Sequence, residues 1–329
     1  MYTNKNGWCV FMKDMVYKIA LRKREHERDF FWKASEYEFK VLDFRVSSRY
    51  WMADPFLYER NGEIYVFYEM WDFFRGRGVI AYSKINEDFS VTKPKIVINE
   101  RYHLSFPNIF DWEGETYIIP ESCGNNCVQL YRCVDFPDVW ENCGMLVQSL
   151  YACDSVLMRD KNNLFLHTNV IAKNNCGHVP SCFVESIMYP VLIPDSSKKE
   201  FGELEAVSCS VGDYGIRNAG SPFYYGESLY RVGQDCRGGK YGGGICIFKV
   251  DSVKPYKESF VKAVSSDDMA EHVVNAKDKF FYGFHTYNIS SKYEVIDLYS
   301  YERIPVFYSI IRFFYRCVRF ALSFLRRVA

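Results

Sequence analysis

Three carboxylates stand next to short apolar strands, where they could take part in proton transfer. Asp54 begins the run "DPFLY", Glu121 follows the apolar run "YIIP", and Asp154 begins the run "DSVLM". A carboxylate held near a substrate hydroxyl can act as a general base, and neighbouring carboxylates raise one another's pKa by like-charge repulsion. The sequence therefore predicts catalytic roles for Asp54, Glu121 and Asp154. The alternative for each residue alone is a role in a turn or a hydrogen bond.

A repeat along the chain indicates the elements that position these residues. Each copy has a polar residue, a short apolar run, a turn and an aromatic-rich strand. The copies are residues 53–70, 106–122, 153–169 and 219–236, with a weaker fifth around 279–288. Further apolar strands follow each hairpin, and radially repeated units of about four strands are propeller blades. The chain is therefore predicted to be all-β, a five-bladed β-propeller with a C-terminal amphipathic helix.

The propeller prediction places the polar residues of the repeat around one central channel. The innermost strand of each blade lines that channel, so the polar residues that begin the copies should face one pocket. These residues are Asp54, Asn108, Asp154 and Ser221. The ends of the second strands should add Glu69, Glu121, His167, Gln234 and Asp235. Substrate-binding roles are predicted for Glu69, His167, Gln234, Asp235 and Asn108.

A glycine-rich stretch at residues 231–245, "RVGQDCRGGKYGGGI", is a candidate phosphate site. It combines Arg231, Arg237 and Lys240 with six glycines. Glycine allows backbone N–H groups to converge on an anion, and arginine binds phosphate in a bidentate manner. The alternative is a flexible connection between strands. Further polar candidates for substrate binding are His103, Arg217, Asn218 and His285.

The chain divides into three predicted parts. Residues 1–44 form an N-terminal segment, residues 45–304 the propeller, and residues 305–329 a basic amphipathic helix. The motif "GWCVFMKD", residues 7–14, is predicted to add a strand that closes the ring, and residues 11–26 are predicted to include a helix. No basic stretch followed by an apolar run marks a secretory signal, so the 12 cysteines are expected to be reduced in the cytoplasm.

The C-terminal part carries five arginines and no acidic residue. Arg312, Arg316 and Arg319 fall on one helical face, and bulky apolar residues fill much of the remainder. Such a helix suits the headgroup boundary of an anionic membrane, which predicts a peripheral location on the inner face of the plasma membrane. The alternative is a terminal helix packed on the domain with its arginine side chains reaching outward.

Several motifs together carry a family resemblance. The segments "ADPFLYERNGEIYVFYEM", "HLSFPNIFDWEGETYIIPES" and "GSPFYYGESLYRVGQDC" resemble the N-terminal domain of glucosamine inositolphosphorylceramide transferases and its bacterial relatives. That domain is similar to the five-bladed propellers of glycoside hydrolase family 43. The resemblance covers roughly residues 45 to 300 and implies carbohydrate chemistry. It implies that Asp54 matches the family 43 base and that Asp154 matches its pKa-tuning aspartate.

The position of the family 43 acid departs from that pattern. The acid is expected near "NAGSPF", where Asn218 and Gly220 stand instead. Inverting hydrolysis needs an acid to protonate the leaving oxygen, whereas a phosphate leaving group is stable without a proton. The expected function is therefore a glycosyltransferase. It would move a sugar, such as the furanose galactofuranose, from a nucleotide-sugar donor to a lipid-linked glycan acceptor in bacterial surface polysaccharide synthesis.

Two alternatives to a transferase remain open. One is a family 43-like glycosidase with Asp54 as base and Glu121 or Glu185 as acid, and the other is a non-catalytic carbohydrate-binding module. No cofactor is expected to be required, although a structural divalent ion in the channel remains an alternative. The expected partners are the donor, the acceptor and an anionic membrane surface, and no nucleic acid.

Overall fold

The computed structural model describes residues 11–160, 163–171, 184–191, 207–274 and 281–328. Within these residues the strands form five sheets, which are the blades of a β-propeller. The predicted all-β, five-bladed fold and the C-terminal helix are confirmed.

The strands follow one another along the chain in blade order. The N-terminal strands are β1 (Phe11–Lys23) and β2 (Phe39–Val41). Blade 1 comprises β3 (Tyr50–Arg60), β4 (Glu63–Asp72), β5 (Arg77–Ile85) and β6 (Lys95–Ile98). Blade 2 comprises β7 (Ser105–Trp112), β8 (Glu115–Glu121), β9 (Cys127–Asp135) and β10 (Val139–Gln148).

Blades 3 to 5 complete the ring. Blade 3 comprises β11 (Ala152–Asp160), β12 (Asn163–Val170), β13 (Val184–Val191) and β14 (Val207–Gly212). Blade 4 comprises β15 (Tyr214–Asn218), β16 (Phe223–Tyr225), β17 (Ser228–Asp235), β18 (Gly244–Val253) and β19 (Tyr256–Ser265). Blade 5 joins β20 (Val273–Val274), β21 (Tyr287–Ile289) and β22 (Tyr293–Pro305) to β1 and β2. The α-helices are α1 (Ser266–Ala270) and α2 (Val306–Val328).

Strand β1 closes the ring by pairing with the last strand of the propeller. It lies antiparallel to β22, from Phe11 opposite Pro305 to Lys23 opposite Tyr293. The described part of the predicted ring-closing strand, from Phe11 onward, thus belongs to blade 5, and the remainder lies outside the described residues. The predicted helix within residues 11–26 is wrong. Apolar side chains occupy both faces of β1, because blade 5 packs between neighbours, and this hides the alternation typical of a strand.

Apolar side chains between neighbouring blades form the core. Between blades 1 and 2, Phe56 and Phe67 pack with Leu104, Phe106 and Ile118, all nearly inaccessible to solvent. Burial of apolar area contributes about 25 cal/mol per Å², so these seams hold the inner strands in fixed positions around the axis.

Helix α2 begins directly after β22 and packs on blade 1. Tyr308 is buried against Phe73 and Phe74, which lie in the turn between β4 and β5. This turn directly follows β4. The first turns of α2 therefore lie at the end of the propeller at which β4 ends. Among the described residues, no helix combines the length and apolar character needed to cross a bilayer.

Candidate active site in the central channel

The innermost strands of three blades share a bulge next to the axis. The pairing of β3, β7 and β11 with the second strand shifts by one residue near the start of each. The bulged residues have a left-handed backbone, with φ of 50° at Asp54, 44° at Phe106 and 47° at Asp154. Bulges redirect side chains and accumulate near active sites. The equivalent of Asp54 in blade 2 is therefore Phe106, and the predicted equivalence of Asn108 is wrong by two residues.

Asn108 nevertheless reaches the axis. Its Nδ2 donates a hydrogen bond of 2.6 Å to Oγ of Ser221, which joins blade 2 to blade 4. Among the described residues, its buried Oδ1 has no hydrogen-bond partner. A buried amide oxygen without a partner costs free energy unless a ligand or water satisfies it, so Asn108 is suited to bind a substrate hydroxyl.

Asp54 lies beside a histidine that is held by a second aspartate. Nε2 of His285 lies 3.3 Å from Oδ1 of Asp54, and Nδ1 of His285 lies 2.8 Å from Oδ2 of Asp297. Backbone N–H of Phe106 donates to Oδ2 of Asp54 at 3.1 Å. Burial raises the pKa of Asp54 to about 7, although the nearby His285 opposes the shift. Burial lowers the pKa of His285, but Asp297 and then Asp54 outweigh it, so that the net pKa is raised.

Arg217 contacts one carboxylate from blade 2 and one from blade 3. Its Nε donates to Oδ2 of Asp154, and its Nη2 lies 3.9 Å from Oε2 of Glu121. Burial and the neighbouring Asp154 raise the pKa of Glu121 to about 8, and Arg217 opposes that shift. A pKa near 8 favours the protonated form of Glu121 at neutral pH, and Arg217 forms a buried ion pair with Asp154.

Glu69 completes the group of carboxylates. It stands opposite Ala53 in β4, at the position that Glu121 occupies opposite Ser105 in β8. Burial, followed by repulsion from Asp54 and Glu121, raises the pKa of Glu69 well above its usual value. Nε2 of His103 lies 3.8 Å from Glu69 Oε1.

His103 holds one fixed tautomer. Its Nδ1 accepts a hydrogen bond of 2.8 Å from the backbone N–H of Gly78, so a neutral ring carries its proton on Nε2, towards Glu69. Burial and then the charge of Arg77 lower the pKa of this histidine. His103 is therefore a neutral hydrogen-bond donor at the edge of the channel.

His167, Asn218 and Gln234 form a buried network behind Asp154. The Nδ2 group of Asn218 donates to the backbone oxygen of Asp154 at 2.8 Å, and Gln234 Nε2 donates to the backbone oxygen of Asn218 at 2.9 Å. His167 contacts Asn218 Oδ1 through Nδ1, and burial followed by the charge of Arg231 lowers its pKa well below the usual value. These residues support the wall of the channel through their contacts with one another.

The repeat alignment also misplaced His167. The residue of blade 3 at the level of Glu69 and Glu121 is Asn169, which pairs with Cys153. His167 lies two residues deeper in β12, opposite Val156. Asp154 and Asn169 are 15 residues apart, as are Asp54 and Glu69, so the spacing in the sequence could have identified Asn169 as the residue at this level.

The cations of the glycine-rich stretch point to different partners. Arg231 is buried in an ion pair of 2.7 Å with Glu258, on the outer side of blade 4. Arg237 is exposed and pairs with Asp235 at 2.8 Å, and Lys240 donates to Ser266. The structure does not bring the three cations together, and phosphate binding by this stretch stays a prediction.

Asp297 and the aromatic wall were missed at the level of sequence. The ring of Tyr17, from β1, lies 5.1 Å from that of His285, and the ring of Tyr241 lies 4.9 Å from it on another side. Arg217 also stacks on Tyr241, with 5.2 Å from its guanidinium carbon to the ring centre. A polar residue in the buried run "YEVIDLYS" was the one signal for Asp297.

Two groups in the described part of the chain have the spacing of metal ligands. Ligand atoms lie within 4.8 Å of one another in Asp54, His285 and Asp297, and in Glu121, Cys153 and Asp154. In the first group His285 contacts both carboxylates with its two ring nitrogens, and in the second Arg217 binds Asp154. In each group a side-chain nitrogen thus already contacts carboxylate oxygens, which leaves fewer of them available to a divalent ion.

A family model described as glucosamine inositolphosphorylceramide transferase 1, N-terminal, matches residues 40–289. Among curated proteins, glucosamine inositolphosphorylceramide transferase 1 of Arabidopsis thaliana is 33% identical over 214 residues, which are 63% of this chain and 26% of that protein. The protein of the same name from Oryza sativa subsp. indica is 28% identical over 210 residues, covering 63% of this chain and 27% of the relative. The chain spans about a quarter of the length of these relatives.

Solved structures with a similar outline are glycoside hydrolases. The native Bacillus subtilis arabinanase has a TM-score of 0.47 and 13% identity, and covers 77% of this chain and 95% of its own. A family 117 glycoside hydrolase from Zobellia galactanivorans has a TM-score of 0.48 and 12% identity, with coverages of 87% and 90%.

Proposed function

The chain belongs to the family glucosamine inositolphosphorylceramide transferase 1, N-terminal, and from that premise we propose that it is a glycosyltransferase whose reaction takes place in the propeller channel. The named relatives are transferases, and the chain corresponds to only part of their length. Its activity, donor and acceptor are therefore proposals that depend on the chemistry of the site.

The observation that carries this proposal is the pairing of Asp54 with His285. A base must be ionised in a fraction of the molecules near neutral pH and must still attract a proton, so a pKa of about 7 suits the task. His285 and Asp297 hold the Asp54 carboxylate in one orientation. In the proposed step Asp54 removes the proton of an acceptor hydroxyl, whose oxygen then forms the new bond to the anomeric carbon of the donor.

The proposed donor is a nucleotide sugar, which releases a nucleoside diphosphate as the bond to the anomeric carbon breaks. This leaving group needs no proton from the protein, which suits a site where Asn218 stands near the position expected for the hydrolytic acid. Furanose sugars, such as galactofuranose, and a role in bacterial surface polysaccharide synthesis belong to the proposal through the family resemblance.

The proposed acceptor is a lipid-linked saccharide at the inner face of the plasma membrane. Helix α2 supports the proposed acceptor. The exposed apolar residues of the helix lie past the point where it packs on the turn after β4, the strand that carries Glu69. Phe313 and Phe314 are each 62% exposed, while Tyr308 anchors the helix to blade 1. A helix bound to the headgroup region would hold the channel near its lipid-linked substrate.

Transfer by the purified chain tests the function. A panel of nucleotide sugars, including a furanose donor, would be incubated with a lipid-linked saccharide, and the glycosylated lipid would be measured. Asp54→Asn should abolish the product and Asp267→Asn, an exposed aspartate of α1, should retain it. Absence of transfer from every donor would reject the proposal. Full activity of Asp54→Asn would favour a non-catalytic role for this channel.

One observation favours a second candidate, a glycosidase. Glu121 has a pKa raised to about 8 and is thus a neutral carboxylic acid at pH 7, able to protonate a leaving oxygen. Glu185, the other predicted acid, lies on β13, the third strand of blade 3, rather than on an inner strand. Release of the aryl alcohol from aryl glycosides, lost in Glu121→Gln, would support hydrolysis.

A further inference from the structure

A cleft of about 340 Å³ lies beside the channel, between the propeller and α2. Arginine side chains from two segments line it together with two tyrosines. The lining residues are Arg75, Gly76, Arg77, Arg101, Tyr102, His103 and Tyr315. The sequence analysis used only His103 of this group, and the proposed reaction assigns no role to the three arginines.

Two of the three arginines, Arg75 and Arg77, are held by polar contacts. Arg77 donates to Asn99 Oδ1 at 2.9 Å and to the backbone oxygen of Tyr102 at 3.4 Å. Nε of Arg75 lies 3.6 Å from Asp72, whose carboxylate also accepts hydrogen bonds of 2.7 Å and 2.5 Å from Arg49. Two guanidinium groups thus share one carboxylate, which leaves net positive charge at this side of the cleft. Fixed guanidinium groups bind phosphate oxygens with little loss of side-chain entropy.

The cleft adjoins the carboxylates of the channel through His103. One face of this ring lines the cleft, and its Nε2 lies 3.8 Å from Glu69 Oε1. A ligand with an anionic group among the arginines can therefore place an attached sugar towards Glu69 and Asp54. Tyr315 lines the cleft from α2, so the propeller and the helix form the cleft together.

We propose that the cleft of Arg75, Arg77 and Arg101 binds a phosphate group of the substrate, next to the sugar that occupies the channel. The inference rests on the proposed function to the extent that the phosphate belongs to a nucleoside diphosphate of the donor or to the headgroup of a lipid. Both sources offer the same chemistry, a phosphate dianion or diphosphate that accepts bidentate hydrogen bonds from arginine. The cleft thus has the phosphate-binding role that the sequence pattern predicted for residues 231–245.

Titration calorimetry on the full chain tests the inference with three probes. These are UDP, inorganic pyrophosphate, and phosphatidylcholine vesicles with or without phosphatidic acid. The test variants are Arg101→Gln and the double variant Arg75→Gln/Arg101→Gln. The matched control is Arg132→Gln, an arginine of β9 that pairs with Glu141 on the outside of blade 2. Because Arg101 is exposed, the fold is expected to persist, and the melting temperature checks this.

We expect Arg101→Gln to weaken binding of the phosphate probe by about tenfold, as is typical for losing a hydrogen bond between charged groups, and the double variant to weaken it further. Loss of UDP and pyrophosphate binding assigns the site to a soluble phosphate, and loss confined to phosphatidic acid vesicles assigns it to a lipid headgroup. The inference is overturned if no probe binds the unmodified chain, or if both variants bind every probe as Arg132→Gln does.

The same variants separate this inference from the proposed function. If phosphate binding depends on Arg101 while no nucleotide sugar supports transfer, the phosphate site stands and the transferase does not. If transfer occurs and the double variant keeps an unchanged KM for the donor and for the acceptor, the transferase stands and the phosphate site is overturned.

Discussion

Nε2 of His285 lies 3.3 Å from Oδ1 of Asp54, in a part of the channel closed to solvent. The same imidazole contacts Asp297 with its other nitrogen, at 2.8 Å. One imidazole ring thus stands between two carboxylates from blades 1 and 5, and these carboxylates raise its pKa. Burial favours the neutral form of Asp54, and His285 favours its charged form, so that the pKa of Asp54 reaches about 7 rather than a higher value.

The rate of transfer should therefore depend on pH near neutrality. If ionised Asp54 is the base, kcat/KM rises as pH increases through about 7 and then levels off. Asp54→Asn should lower kcat/KM by about 10²–10⁴-fold, the range typical of a general base. Initial rates between pH 5 and pH 9 check both statements. A rate that is independent of pH over this range would contradict the assignment of Asp54.

Hydrolysis would give a different profile. It needs Asp54 ionised and Glu121 protonated, so the rate would rise near pH 7 and fall again above about pH 8. A bell-shaped profile that becomes one-sided in Glu121→Gln would identify the glycosidase. The two candidate functions are thus distinguishable with the same purified chain.

Glu121 should make the fold less stable as pH rises. Its pKa is raised from 4.5 to about 8 in the folded state, so between these values the folded chain holds a proton that the unfolded chain has lost. Stability present at acidic pH is therefore lost as pH increases through about 8. Glu121→Gln cannot ionise, so its melting temperature should exceed that of the unmodified chain more at pH 8.5 than at pH 5.

Glu115→Gln is the matched control for that measurement, since Glu115 lies in the same strand but is exposed. Its melting temperature should follow that of the unmodified chain at both pH values. An equal effect of the two substitutions would show that burial of Glu121 does not control the pH dependence.

Removing Arg217 should destabilise the protein strongly. Arg217→Met leaves the buried carboxylate of Asp154 without its cation, and breaking a buried pair in this way costs about 3–5 kcal/mol. Addition of Asp154→Asn should recover part of this loss, because the isolated charge disappears. Urea unfolding of the single and double variants measures the coupling. Additive effects of the two substitutions would show that the ion pair contributes nothing specific.

Gly78 should be intolerant of a side chain. A Cβ there would lie 2.4 Å from Glu69 Oε1 and 2.5 Å from the backbone oxygen of Leu104. Gly78→Ala must displace one of them, at a cost of about 1–3 kcal/mol for overpacking, and should lower activity by moving Glu69. Gly124→Ala is the control, because its nearest contact would be an ordinary 3.4 Å. Thermal unfolding and transfer assays of both variants check this, and equal behaviour would contradict it.

The exposed apolar residues of α2 should bind membranes. Phe313→Ser/Phe314→Ser should reduce binding to anionic vesicles by at least about tenfold, since apolar area no longer enters the headgroup boundary. Vesicle co-sedimentation measures this, with Phe260→Ser as control because Phe260 is 52% exposed on β19. Unchanged sedimentation of the α2 variant would remove the membrane from the proposal.

The repeat in the sequence was sufficient to predict the fold. Hairpin turns such as Asn61-Gly62, with positive φ at both residues, occur at regular intervals, and the strands between them carry aromatic residues on half-buried surfaces. Local preference and spacing determine such units, so the five blades and the position of Asp54, Glu121 and Asp154 at the channel were predictable from residue types and spacing, while their catalytic roles stay predictions.

Tertiary structure decided which side chains meet in the channel. Asp297 and Tyr17 come from β22 and β1, which lie at opposite ends of the chain and adjoin only because the ring closes. The pairing register shows that Asp54 corresponds to Phe106, because the bulge lies at the same point of β3 and β7, and Asn108 reaches the axis from a position two residues further along its strand. Arg231 lies within β17 and pairs with Glu258, whereas Arg237 and Lys240 lie in the connection between β17 and β18, so the three cations have different partners. Spacing along the chain specifies the strands, whereas the pairing between strands decides which charges become neighbours.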